Sequence, residues 1–230
     1  MNIIARIHND FPSKFGIPRQ SGRVPSLRAQ IVFEPEYRNK DALRGLEDYS
    51  HIWLIWEFSE SVGRKWTPTV RPPRLGGNKR MGVFATRSPF RPNPIGLSCV
   101  RLEEIRLDGE NGPVLEVSGA DLMDGTPIYD IKPYLPAADC RPDALGGFAA
   151  AVDGHRLQVE FSADLLEKVP EESRQALRDV LAEDPRPGYQ EDPERIYGMR
   201  FGKQDIRFRV DQGVVIVCEV IVHPLPFSPR

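Results

Sequence analysis

Along most of the first 135 residues, apolar positions alternate with polar ones or run continuously over short lengths, the spacing of strands rather than helices. Ile3-Ile4-Ala5-Arg6-Ile7 and Leu27-Arg28-Ala29-Gln30-Ile31-Val32-Phe33 predict the first two strands. Asp41 can cap a short helix through Ala42, Leu43 and Leu46. The run His51-Ile52-Trp53-Leu54-Ile55-Trp56-Glu57-Phe58 then predicts a buried central strand whose aromatics belong to the core. Further strands are expected over 81–85, 97–106, 114–117 and 127–132, with turn signals at Asp108-Gly109, Asn111-Gly112-Pro113 and Asp124-Gly125. Many short strands at this spacing predict a barrel or a strongly curved sheet.

A loop over 136–147 rich in Pro, Ala, Asp and Gly leads out of this region, and beyond it the pattern changes. A strand over 159–162 is followed by Pro170-Glu171-Glu172-Ser173, which opens a helix with apolar positions at Ala176, Leu177, Val180 and Leu181. Asp184-Pro185-Arg186-Pro187-Gly188 stops it, and strands are expected over 196–201, 206–210 and 214–222, with Gln212-Gly213 turning between the last two. The chain is thus mainly β with an α+β appendage: an amino-terminal β-barrel domain over 1–150 and a small α+β domain over 151–230.

With 230 residues, 40% of them hydrophobic and 28% charged, the chain can bury a sizeable core. Its net charge of −2 supplies no overall pull toward nucleic acid or an anionic membrane, so any polyanion site must be local. No apolar run approaches the ~20 residues of a membrane-spanning helix, and the start lacks a secretory pattern, so a cytoplasmic protein without a membrane partner is expected. Cys99, Cys140 and Cys218 are widely separated and read as buried free thiols. His8, His51, His155 and His223 are equally scattered, and no metal is expected.

Charge becomes informative between positions 61 and 102. This stretch holds Arg64, Lys65, Arg71, Arg74, Lys79, Arg80, Arg87, Arg91 and Arg101 without one Asp or Glu. Nine cations with no interleaved carboxylate repel one another, so an anion or phosphate backbone is the expected companion, a solvated basic face being the plainer reading. Prolines stiffen the stretch, and Thr86-Arg87-Ser88-Pro89-Phe90-Arg91-Pro92-Asn93-Pro94-Ile95-Gly96 reads as a preorganised, non-helical loop presenting two guanidinium groups. Leu75-Gly76-Gly77-Asn78 adds a turn that a ligand can approach closely. A second dense stretch, Asp121 to Tyr134, places Asp130, Lys132 and Tyr134 on one face if 128–134 is extended. Pro133 confines that strand to an edge or rim. The polar face is then either a site or a surface ion pair of small value.

Several chemistries are excluded. No Gly-x-Gly-x-x-Gly, Gly-x-x-x-x-Gly-Lys-Ser/Thr, Gly-x-Ser-x-Gly or His-Glu-x-x-His occurs, so a Rossmann cofactor domain is not expected.

Four segments taken together carry a resemblance: Pro18-Arg19-Gln20; Arg71-Pro72-Pro73-Arg74-Leu75-Gly76-Gly77-Asn78; Gly82-Val83-Phe84-Ala85-Thr86-Arg87-Ser88 with Arg91-Pro92-Asn93-Pro94-Ile95-Gly96; and Asp124-Gly125-Thr126-Pro127 with Asp130-Ile131-Lys132-Pro133-Tyr134. They resemble the TsaA-like family, and Asp184-Pro185-Arg186-Pro187 with Ile196-Tyr197-Gly198-Met199 resembles the carboxy-terminal pattern of its long bacterial form. The resemblance implies an S-adenosylmethionine-dependent tRNA adenosine methyltransferase built on a β-barrel and working as a homodimer. Its acceptor would be the exocyclic nitrogen of threonylcarbamoyl-adenosine beside the anticodon of threonine tRNAs.

The resemblance also implies roles for residues. Pro18, Arg19, Gln20, Arg87, Leu97 and the segment Ser118, Gly119, Ala120 and Asp121 fall in the cofactor-binding region, with Arg87 suited to a carboxylate and Asp121 to a ribose hydroxyl or amino group. Arg71, Arg74, Asn78, Arg91 and Asn93 belong to the tRNA-contacting stretch, with Trp66 and Phe90 as stacking or core residues. Asp130 and Tyr134 are candidates for the group that takes the proton from the acceptor nitrogen, with Lys132 orienting Asp130 or contacting the backbone. Two other functions compete: a non-enzymatic RNA-binding barrel, and a methyltransferase with a small-molecule acceptor.

Overall fold

The computed structural model describes residues 1–72, 79–150, 156–186 and 192–223. Arg74, Asn78 and the turn 75–78 lie outside the described residues. The amino-terminal strands are β1 (Ala5–His8), β2 (Arg28–Phe33), β3 (His51–Glu57), β4 (Thr69–Val70), β5 (Met81–Gly82), β6 (Ile95–Arg106), β7 (Val114–Ser118) and β8 (Pro127–Pro133). Six of them close into an antiparallel barrel in the order β1-β2-β7-β6-β3-β8, while β4 and β5 form a separate hairpin. Inward positions follow the period of two: Ile7, Ile31, Ile52, Leu54, Leu115 and Ile128 are fully buried in one hydrophobic cluster. Gly112 (φ +73°) turns the chain between β6 and β7, where the sequence predicts a turn.

Several local expectations change. β3 is buried on one face only: Ile52, Leu54 and Trp56 point inward while His51, Trp53, Ile55 and Glu57 stay half-exposed, because a barrel strand has one inner face. The strand expected over 81–85 ends at Gly82, and Val83–Ala85 forms a 3-10 turn. Around Asp41 the helix is a 3-10 turn, Lys40–Leu43, capped by Asn39 instead. The loop over 136–147 contains a helical turn, α1 (Pro136–Asp139), and α2 (Gly147–Ala150) follows. The thiols are not buried: Cys140 and Cys218 are exposed and Cys99 is half-buried. The rim expected at Pro133 is present, since β1 pairs with β8 only at Ile128 and Pro127, so the second half of β8 has β3 as its one partner.

The carboxy-terminal unit comprises β9 (Gln158–Glu160), α3 (Ala163–Leu166), α4 (Glu171–Ala182), β10 (Tyr197–Phe201), β11 (Gln204–Asp211) and β12 (Val214–Val222). Its sheet order is β10-β11-β12-β9, with β9 parallel to β12. Ala176, Leu177, Val180 and Leu181 form the buried face of α4, as their spacing predicts. Gln212 (φ +46°) and Gly213 (φ +80°) make the tight hairpin turn.

The β1–β2 connection, residues 9–27, joins the two units. Its Phe11, Val24 and Leu27 belong to the carboxy-terminal core, with Phe11 set edge-on to Phe201 at 5.5 Å. Gly202 donates its N–H to Asp10 O at 2.7 Å, and Ser26 Oγ donates to Asp179 at 2.5 Å. Arg23 pairs with Glu183. Gly16 (φ +97°) lies so close to Met199 that a Cβ there would fall 2.1 Å from its Sδ. Among the described residues no helix is long and apolar enough to cross a membrane.

A cleft at the barrel rim

A cleft of about 620 Å³ opens where the end of β3, the start of β6 and three loops meet. One wall is the 9–27 connection, through Lys14, Ile17, Pro18, Arg19 and Gln20. The opposite wall is the proline-stiffened loop, through Thr86, Arg87, Pro89, Phe90 and Arg91. Trp56, Ile95, Gly96, Leu97 and Asp121 line the cleft between them.

The floor is a hydrogen-bond chain with one polarity. Trp56 Nε1 donates to Ser98 Oγ at 2.9 Å, and Ser98 Oγ donates to Asp121 Oδ1 at 2.5 Å. An indole N–H can only donate, so the serine proton is directed at the carboxylate. The indole reaches this position because Gly96, paired with Trp56 across the two strands, has no side chain; a Cβ on it would stand 2.2 Å from the ring. Burial pushes the Asp121 carboxyl above its ordinary value, against the opposing effects of the Ser98 hydroxyl, backbone N–H groups and the Arg87 charge. Gly119 (φ +75°) turns the chain after β7; it donates to Leu27 O at 3.0 Å and accepts from Gly22 N at 2.8 Å.

The walls are tied across the cleft. Arg87 donates to Gln20 Oε1, and Lys14 pairs with Glu60 at 3.3 Å. Arg19 instead reaches the carboxy-terminal unit, donating to Arg186 O at 3.1 Å and Asp184 O at 3.4 Å. Arg91 Nη1 donates to Thr86 O at 2.7 Å and Val83 O at 3.1 Å, closing the loop on itself. At the rim, the Tyr129 hydroxyl donates to Glu57, and burial together with the Glu57 carboxylate pushes its pKa up to about 12, so the phenol stays protonated.

Of the residues expected to bind cofactor, Pro18, Arg19, Gln20, Arg87, Leu97 and Asp121 meet in this cleft. Ser118, Gly119 and Ala120 do not line it: Ser118 is buried and its hydroxyl donates to Glu103 at 2.6 Å, and Ala120 packs in the barrel core. Among the tRNA-contacting candidates Arg91 lines the cleft, whereas Arg71 and Asn93 are exposed outside it. Asp130, Lys132 and Tyr134 do share a face, and Lys132 Nζ lies 2.9 Å from Asp130 Oδ2, but that face is the outside of the barrel, not the cleft. There Tyr134 packs beside His51 and Trp53, at 6.3 and 5.8 Å between ring centroids.

Sequence reasoning passed over Trp56, Glu57 and Ser98. Ser98 carried a signal, because it is a polar residue at an inward position between Gly96 and Val100 on β6. Tyr129 carried none, since it enters through a bulge where Ile55 pairs with Asp130 but Trp56 pairs with Ile128.

Fold and cleft together define an antiparallel barrel with a cleft at its rim, extended by a small α+β unit. Residues 6–140 match the tRNA-methyltransferase O N-terminal domain, and residues 154–223 match the TrmO C-terminal domain. The chain belongs to the TrmO family, which lies within the TsaA-like family that its motifs resemble. It is 43% identical over 215 residues to the tRNA (adenine(37)-N6)-methyltransferase of Escherichia coli K12, covering 90% of this chain and 91% of that one. A Pseudomonas aeruginosa chain with a provisional name as an S-adenosylmethionine-dependent methyltransferase is 42% identical over 213 residues, covering 89% and 90%. The crystal structure of TrmO from Pseudomonas aeruginosa superposes with a TM-score of 0.77 at 34% identity, covering 96% of each chain.

Proposed function

We propose that this chain is an S-adenosylmethionine-dependent methyltransferase that methylates N6 of the adenosine beside the anticodon of tRNA, with threonylcarbamoyl-adenosine of threonine tRNAs as acceptor, in the cytoplasm. Family membership supports the reaction class, and the cleft carries the residue-level reading: a half-buried carboxylate, Asp121, within electrostatic reach of Arg87, a guanidinium on a stiff loop. A volume of about 620 Å³ lies in the range of nucleoside-sized ligands. The lining fits the donor: Arg87 suits its carboxylate, Asp121 a ribose hydroxyl or the ammonium group, and Trp56 and Phe90 its apolar parts. When bound, S-adenosylmethionine supplies an electrophilic methyl group. The chain's own contribution is alignment, through a floor locked by the Trp56-Ser98-Asp121 chain and walls tied by Arg87 and Gln20.

Asp130, Lys132 and Tyr134 remain our candidates for handling the acceptor proton. They stand outside the cleft of their own chain, so this role requires the homodimer that the resemblance implies, with the outer face of one copy brought over the cleft of the other. Mixing Arg87→Ala and Asp130→Asn chains, each inactive alone, then restores part of the activity; no recovery excludes a shared site.

The direct test is calorimetric titration with S-adenosylmethionine, followed by methyl transfer to threonine tRNA. Wild-type protein binds saturably and Arg87→Ala binds at least tenfold more weakly. No binding, even with threonine tRNA present, rejects the donor site. The cation-rich stretch further predicts that tRNA affinity falls steeply with salt.

A further inference from the structure

Phe84 is the odd aromatic residue of this protein. It is 73% exposed, whereas the other exposed aromatic side chains among the described residues, Tyr49, Trp66 and Phe90, reach only 37–45%. A phenylalanine at the tip of a loose loop would need no account, but this one is held firmly. Its 3-10 turn, Val83–Ala85, is anchored by the buried Val83, whose N–H donates to Pro68 O at 3.0 Å. The Val83 carbonyl accepts from Thr86 N at 3.1 Å, Thr86 Oγ1 at 2.9 Å and Arg91 Nη1 at 3.1 Å. The Arg91 guanidinium carbon stands 5.7 Å from the Phe84 ring centroid, over the ring, which leaves the opposite face to solvent.

The surroundings select the partner. Thr86, Arg87 and Arg91, on the same short loop, line the cleft, whereas Phe84 does not, so the ring stands outside the pocket proposed for the donor. The stretch around it holds nine cations and no carboxylate. A rigid aromatic face among cations matches a flat π-system attached to phosphates, the chemistry of an unpaired nucleobase. We infer that Phe84, backed by Arg91, is a stacking platform for an unpaired base of the RNA substrate, beside the base that enters the cleft. The inference rests on the proposed tRNA substrate.

The test compares Phe84→Ala, Phe84→Leu and Phe84→Trp with wild type, using a threonine tRNA transcript and S-adenosylmethionine as separate titrants. Stacking predicts that Ala and Leu weaken tRNA binding about tenfold or more while Trp stays near wild type. Donor affinity is unchanged in all three. If Leu binds tRNA as wild type does, the side chain is only apolar packing and the platform is wrong. An equal loss of donor affinity moves the stacked base to the donor's adenine and also overturns it, as does a change of oligomeric state in gel filtration. Wild-type protein that does not bind tRNA at all removes the functional reading, and the platform with it.

Discussion

Asp121 and Asp130 sit on one barrel and meet opposite surroundings. Asp121 lies on the floor of the cleft, addressed by a serine hydroxyl that an indole N–H has already oriented. Asp130 lies on the outside, half-exposed, with Lys132 beside it and its own chain's Ile131 N–H donating to it at 2.9 Å. Asp121 was pointed to by the family resemblance, whereas Asp130 was legible as a polar position in an alternating strand. Only the first is desolvated enough to raise its carboxyl pKa, and there a charge meets fewer competing dipoles and acts more strongly on a ligand. The second is a solvated ion pair, whose worth in a single chain is small.

The largest effect should come from the residue that makes the floor possible. Gly96→Ala puts a Cβ against the Trp56 ring, which cannot retreat without giving up its bond to Ser98. We expect a loss of about 1–3 kcal/mol of stability in urea unfolding, together with loss of donor binding. Wild-type stability and binding would show that the floor repacks freely.

Asp121→Asn separates the ligand's need from the fold's. The raised carboxyl pKa means that the folded protein favours the protonated form. That contribution to stability is complete below about pH 4, the unfolded value, and is lost as pH rises through the folded one. The neutral amide escapes this loss, so the variant is at least as stable as wild type at pH 7, and the gap closes toward pH 4. Donor affinity nevertheless falls about tenfold or more. A variant less stable than wild type at pH 7 would make Asp121 a structural residue and erase the contrast with Asp130.

At the small end, Asp130→Asn should change stability by no more than about 0.5 kcal/mol in thermal unfolding, because both partners are about half exposed. A larger loss would show that the outer pair braces β8.

Much of the cleft could be read from residue types. Arg87 and Arg91 stood out because prolines and an unbroken run of cations surround them, whereas Asp121 was reached only through the family resemblance. Glu57 was absorbed into an apolar run, and Tyr129 depends on a bulge that no local pattern announces. Trp56 was counted as core; it is core and cleft at once, since the strand ends where the barrel opens. The same ambiguity affected the 9–27 connection. Leu27 was expected to open the second strand, yet with Phe11 and Val24 it fills the carboxy-terminal core, and this fastens one cleft wall to the second unit.

Local pattern alone determined the six barrel strands in outline, the α4 face, the hairpin turns and the concentration of positive charge, because alternation and Coulomb repulsion act between near neighbours in sequence. Barrel closure decided the rest. It made β3 one-sided, turned Asp130, Lys132 and Tyr134 outward, and gathered Gln20, Trp56, Arg87, Ser98 and Asp121 from five separate segments around one cleft. Such contacts between distant segments follow from strand order and register, which each strand's own residues leave open until all six have paired.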